Sequence, residues 1–195
     1  MTPAFETGMP NTGTALGNAH GALLASGTAY LATMPDSAFF TAQGAAWSPA
    51  EHVRHLRKAT TPLVSALKLP RWVLGLRFGR HHGGSRSFDE MREVYRAQLA
   101  NGARAGRFTP SAELPPGNPA ARRAEIMTMW TAATVDLQSA LRRWPEAALD
   151  RQRLPHPILG LLTVREMLAF TVYHTAHHLR RIAERAGGDG QSGLR

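Results

Sequence analysis

Cysteine is absent from the 195 residues, and no other feature of the composition removes as much chemistry. No disulfide can staple the chain, no thiol can act as a nucleophile, and no zinc site can be built from thiolates. Any transition metal must be held by histidine and carboxylate. Lysine is nearly absent too: Lys58 and Lys68 stand alone, and arginine supplies the rest of the 23 basic residues. With 14 Asp and Glu, the formal net charge is +9. An arginine-for-lysine bias with abundant Ala and Gly is what a GC-rich coding sequence produces. The charge therefore favours anionic partners without implying specific recognition of nucleic acid. No apolar run approaches the roughly 20 residues of a membrane span, and the N-terminus lacks the basic and apolar character of a secretory leader. A cytoplasmic protein of one well-buried domain is expected.

The chain contains four long stretches with helical periodicity. Residues 1–12 lack periodicity and read as a mobile tail, and residues 188–195 read as a flexible C-terminal tail, leaving 13–187 as the domain. Leu16, Leu23, Leu24 and Leu31 mark a first helix to about Met34, with residues 36–46 as a loop. Ser48, Pro49 and Glu51 form a capping box with Pro at the first helical position, and Val53, Leu56, Thr60, Leu63 and Leu67 then face a core. Pro62 predicts a bend or break in that helix. Residues 70–87 hold a short amphipathic piece and a Gly/His/Arg loop, and Phe88 to about Ala103 read as another helix. Residues 107–119 carry four prolines and form an extended crossover to a helix capped by Asn118 and Pro119. Trp144-Pro145 ends that helix, and a loop leads to the last one. No strand pair is evident, so the expected class is all-α, a four-helix bundle with extra short helices between the second and third helices.

The last helix, Thr163 to Arg185, has the densest pattern. Thr163 and Glu166 form a capping box, and Val164, Met167, Leu168, Thr171, Leu179 and Ile182 make one apolar stripe. His174 and His178 stand on its edge, about 40° apart at roughly 100° per residue. Two imidazoles at i and i+4 can share one metal ion, although the zincin pattern fails for want of a Glu after the first. His177 points further round, towards solvent. On the second helix, His52 and His55 compete for a place beside them, and projection puts His52 nearer the centre of the stripe. His81 and His82 read as solvated loop residues.

Taken together, these segments resemble the DinB-like superfamily of metalloenzymes. The match runs through Trp47, Ser48, Glu51, His55 and Leu56, then His156, Pro157, Gly160, Leu162, Thr163 and Glu166. It ends in His174, His178, Leu179 and Ile182. Arg107–Pro110 resembles a linker of that group. The resemblance implies an up-up-down-down bundle, often a homodimer, with a divalent metal held by three histidines. By motif position those ligands are His55, His174 and His178, with His52 and His177 outside. Relatives include transferases that use low-molecular-weight thiols and a thiol-dependent isomerase.

Three neutral imidazoles would leave open positions for water or a small-molecule substrate, the layout of a catalytic site. Zinc, nickel or iron suit such ligands, with zinc the first expectation. A bound thiol would lose its proton and become a better nucleophile at neutral pH. No general base stands out, since Tyr173 and His177 project away from the ligand pair. The resulting reading is a thiol-dependent transferase or a hydrolase. The alternatives are a catalytically inactive bundle serving as a stress-related interaction module, and an Arg-rich binder of nucleic acid.

Overall fold

Helix boundaries fall where the caps place them. A computed structural model describes residues 4–188 except positions 43, 45, 105, 114 and 115. The Ser48 hydroxyl accepts from the Glu51 amide, and the Glu51 carboxylate accepts from Ser48 N–H, opening helix α3 (Pro49–Lys68). Thr163 and Glu166 repeat the exchange at the start of α8 (Val164–Gly188). A third box, Ser87 with Glu90, opens α5 (Phe88–Ala100). Asn118 caps α6 (Pro119–Leu141), and Thr12 caps α1 (Gly13–Ala32). Pro62 does not break α3, which runs on to Lys68. The one intrahelical bond it forfeits is outweighed by burial of Leu63, Val64 and Leu67 around it.

The four long helices close a ring in which α3 packs on α6, α6 on α1, α1 on α8, and α8 on α3. The protein is a four-helix bundle whose consecutive helices α1 and α3 lie across from one another. Shorter elements fill the connections: α2 (Asp36–Phe40), α4 (Arg71–Phe78), and a 3₁₀ turn at Gly106–Phe108. α5 lies on the outside of α8. That extra layer, with α7 (Glu146–Arg151) against α8 as well, explains why α8 is buried nearly all round rather than along one stripe.

Three expectations need correction. The connection after Trp144 is not a loop: it holds α7 and an antiparallel hairpin, β1 (Arg153–His156) and β2 (Gly160–Thr163), a small addition to an otherwise all-α bundle. Three residues join the strands, and Gly160 follows them at φ +73°, the left-handed position such hairpins require. Residues 36–40, expected as loop, are helical because they bury Phe39 and Phe40. The N-terminal segment is not a mobile tail where it is described. Phe5 is 1% exposed, packs edge-on to Tyr30 at 5.7 Å, and its carbonyl accepts from Arg180. Residues 189–195 lie outside the described part.

Gly27 marks the closest approach within the ring. A Cβ there would stand 2.9 Å from Trp130 and 3.0 Å from Leu179. Gly27→Ala would gain about 1 kcal/mol of helix propensity but force both neighbours to move, costing typically 1–3 kcal/mol. We expect a net loss of stability, read as a lower midpoint in urea unfolding; a higher midpoint would show that α1 and α6 separate freely.

Candidate metal centre

α3 offers the crossover a row of side chains at 51, 54, 55 and 58, and the crossover backbone docks on all four. Glu51 accepts from Glu113 N–H at 3.0 Å, and Arg54 donates to the Ser111 carbonyl at 3.0 Å. Lys58 donates to the Thr109 carbonyl at 3.0 Å, and His55 Nδ1 meets the Phe108 carbonyl at 2.9 Å. The Glu113 carboxylate is held between Arg54 and Arg122, which keep its pKa below the ordinary value. α8 is fixed at its start in a similar way. Arg86 forms an ion pair with Glu166, and Ser85 bonds both Asp150 and Thr163.

Between these anchored helices three imidazoles meet. His174 Nε2 lies 3.0 Å from His55 Nε2 and 3.1 Å from His178 Nε2, and all three side chains are buried. Their nitrogens form the three-histidine group of the described residues that could hold one ion. The protons settle what such a cluster is suited to. A carbonyl can only accept, so His55 carries its proton on Nδ1 and turns a bare Nε2 inward. A proton on His174 Nε2 could satisfy one of its two neighbours and not both. Without a shared cation, lone pairs would face each other at about hydrogen-bond distance. Bonds of about 2.0–2.1 Å to a common ion place nitrogens roughly 3–3.4 Å apart, which the observed spacings fit.

Extra protons do not resolve the conflict. Burial pushes the His174 and His178 pKa values well below the ordinary imidazole value, and neighbouring imidazoles push the same way. Burial also lowers His55, partly offset by its bond to Phe108. The cluster is neutral at pH 7, the state that ligates.

His52 stands behind the group. Its Nδ1 is 2.7 Å from His178 Nδ1, so one proton is shared on the far side of the His178 ring. Burial, then Arg185, lowers its pKa to about 3. Trp47 covers the centre, stacked on His178 at 5.9 Å and 5.0 Å from His55. His177, expected to point towards solvent, reaches it only in part. It is half-buried because α5 covers this side of α8, and it joins the wall of a cavity beside Tyr95 and Tyr173. His82 is exposed and His81 half-buried, both away from the centre.

That cavity, of about 690 Å³, has all three clustered histidines in its wall. No Asp or Glu side chain lines it among the described residues. The hairpin adds His156, whose role the sequence did not suggest. Its Nδ1 accepts from the amides of Ile158 and Leu159 at 3.3 and 3.1 Å, so its proton sits on Nε2. Burial lowers its pKa to about 4. Phe170 links it to the cluster, 4.4 Å from His156 and stacked on His174 at 5.1 Å. The available signal was Gly160 between two apolar pairs, a hairpin mark.

The family profile of the DinB superfamily matches residues 25–182, most of the chain, and takes in His55, His156, His174 and His178. The chain belongs to the DinB superfamily. No curated protein matches the sequence. Among solved structures, YfiT from Bacillus subtilis is similar, with a TM-score of 0.59 and 16% identity, covering 91% of this chain and 87% of YfiT. YfiT is described as a probable metal-dependent hydrolase with an unusual four-helix bundle topology. At that identity the likeness speaks for the fold. This member of the DinB superfamily carries its three-histidine group between α3 and α8, in the wall of that cavity.

Proposed function

We propose that the chain is a small metalloenzyme that holds one divalent ion, zinc first among zinc, nickel and iron, on His55, His174 and His178. One observation carries the reading: His174 Nε2 faces two nitrogens at 3.0 and 3.1 Å that one proton cannot satisfy. The ion would act as a Lewis acid and lower the pKa of a bound thiol or water. The protein's own groups do the rest. Phe108 and His52 fix the ring orientations, Trp47 shields one side, and the apolar wall excludes bulk water.

Thiol-dependent group transfer is the preferred reaction class. A thiol, with an ordinary pKa near 8.5, needs less help to ionise beside a cation than water, whose ordinary pKa is about 15.7. No carboxylate lines the cavity among the described residues. Hydrolysis is the second reading, favoured by the description of YfiT. Zinc-loaded protein should conjugate a low-molecular-weight thiol to an electrophilic acceptor faster than it hydrolyses esters or amides. Hydrolysis without thiol dependence would overturn the preference. Absence of stoichiometric metal from tag-free protein offered zinc, nickel and iron would overturn the whole reading and leave an inactive binding module.

A further inference from the structure

The cavity extends well beyond the histidines. On α3 its wall runs through His55, Ala59, Pro62, Leu63 and Ala66, at helical spacing along one face, to Leu69 just past the helix end. From His55 to Leu69, fourteen helical steps of about 1.5 Å make the trench ~20 Å long. Leu74, Leu99, Leu154, Ile158, Met167 and Phe170 close it from four other elements and their connections. Such a lining prefers an apolar body of drug-like size or larger, and cavities of ~300–1,000 Å³ take such ligands. Its charged members have one sign. Arg77, in the last turn of α4, Arg104, between α5 and the 3₁₀ turn, and Arg107, at the start of the crossover, line the cavity with no carboxylate among the described lining residues. None of the three forms an ion pair or a side-chain hydrogen bond with the described residues, and what sets them apart from other arginines without an ion pair, such as Arg57 and Arg143, is their place in the cavity wall. Arg122, Arg123 and Arg165, by contrast, are held by carboxylates away from the cavity. Arg77 and Arg107 are ordered instead over Phe78 and Phe108, at 5.5 and 5.1 Å.

We propose that this trench binds an amphiphilic organic anion, its apolar body along α3 and its carboxylate or sulfate head held by Arg77, Arg104 and Arg107. Coulomb attraction to three unpaired guanidiniums selects the sign of the head, and burial of the body supplies most of the affinity. The binding rests on the trench alone. Only the further step, that such an anion is a substrate brought to the three histidines, rests on the metalloenzyme reading.

The test is calorimetric titration of the intact protein, with and without zinc, against dodecanoate, dodecanol and dodecyltrimethylammonium below their micelle concentrations. Dodecanoate should bind one per chain at least tenfold more tightly than dodecanol, and the cation more weakly than either. A triple variant, Arg77→Gln, Arg104→Gln and Arg107→Gln, should lose that tenfold preference and bind dodecanol unchanged. These side chains are exposed, so the fold tolerates the change. Equal affinity for all three ligands, or a preference that survives the triple variant, would overturn the proposal. Zinc binding with no dodecanoate preference sinks this inference alone. A dodecanoate preference in protein that takes no zinc sinks the metalloenzyme reading alone.

Discussion

His174→Ala protein should fold and carry no stoichiometric zinc. His174 supplies the nitrogen nearest to both others, so its loss leaves two imidazoles with no bridge between them. Zinc-site energies of roughly 10–16 kcal/mol imply about 3 kcal/mol per ligand, a hundredfold or more in affinity. His55→Ala and His178→Ala should behave alike. His52→Ala is the discriminating variant. It removes only the partner of His178 Nδ1, so binding should weaken about 10–100-fold and still reach one ion per chain at saturation. His177→Ala should stay within a few-fold of the parent. Elemental analysis and competition titration with a chelator read all five. Abolition by His52→Ala with retention in His55→Ala would reverse the assignment. Protons compete with the ion, so affinity falls as pH falls. Because burial holds the free-site pKa values below 6.5, the fall should begin below that pH.

Acid should destabilise the metal-free protein in a window set by histidine. His20, on α1, is 3% exposed, its Nε2 has no partner, and burial lowers its pKa from 6.5 to about 4. A hydrogen bond to the Leu168 backbone opposes this only in part. The unfolded chain takes up the proton below pH 6.5 while the folded chain refuses it. The stability is therefore complete above about 6.5 and lost as pH falls towards 4. For His20 alone the loss is about 2 kcal/mol at pH 5 and about 3 kcal/mol at pH 4. His156, also lowered to about 4, titrates in the same window. Urea midpoints at pH 7, 6 and 5 should drop steadily, and His20→Leu should flatten the slope. Unchanged midpoints over that range would show that water reaches His20 in the folded state.

Some of these elements were legible in the sequence because their signals are local. Ser48 with Glu51 and Thr163 with Glu166 fix two helix starts within a span of four residues, whatever the rest of the chain does. The stripes that follow, Val53 to Leu67 and Val164 to Ile182, are buried as their periodicity predicts. The hairpin at 153–163 was not legible. Its strands are four residues long, one contains Pro155, and pairing is fixed by Gly160 and by α8 behind it. Nor was Phe5, a single aromatic whose burial depends on Tyr30 and on Arg180 arriving from the far end of the chain.

His52 and His55 mark the boundary between the two kinds of information. The sequence by itself determined the helices, their caps and the i, i+4 pair on α8, because each follows from interactions within about one helical turn. It put both histidines of α3 on or beside a buried face, where projection ranked His52 nearer the centre of the stripe and the family motif pointed to His55. Only the tertiary structure separates their surroundings. The crossover sets the Phe108 carbonyl behind His55 and turns its bare nitrogen towards His174. The position of α8 leaves His52 at the back of the His178 ring. A helix's own periodicity gives the direction of a side chain to within tens of degrees, whereas metal ligation is decided within tenths of an ångström. That precision comes from the packing of segments distant in sequence.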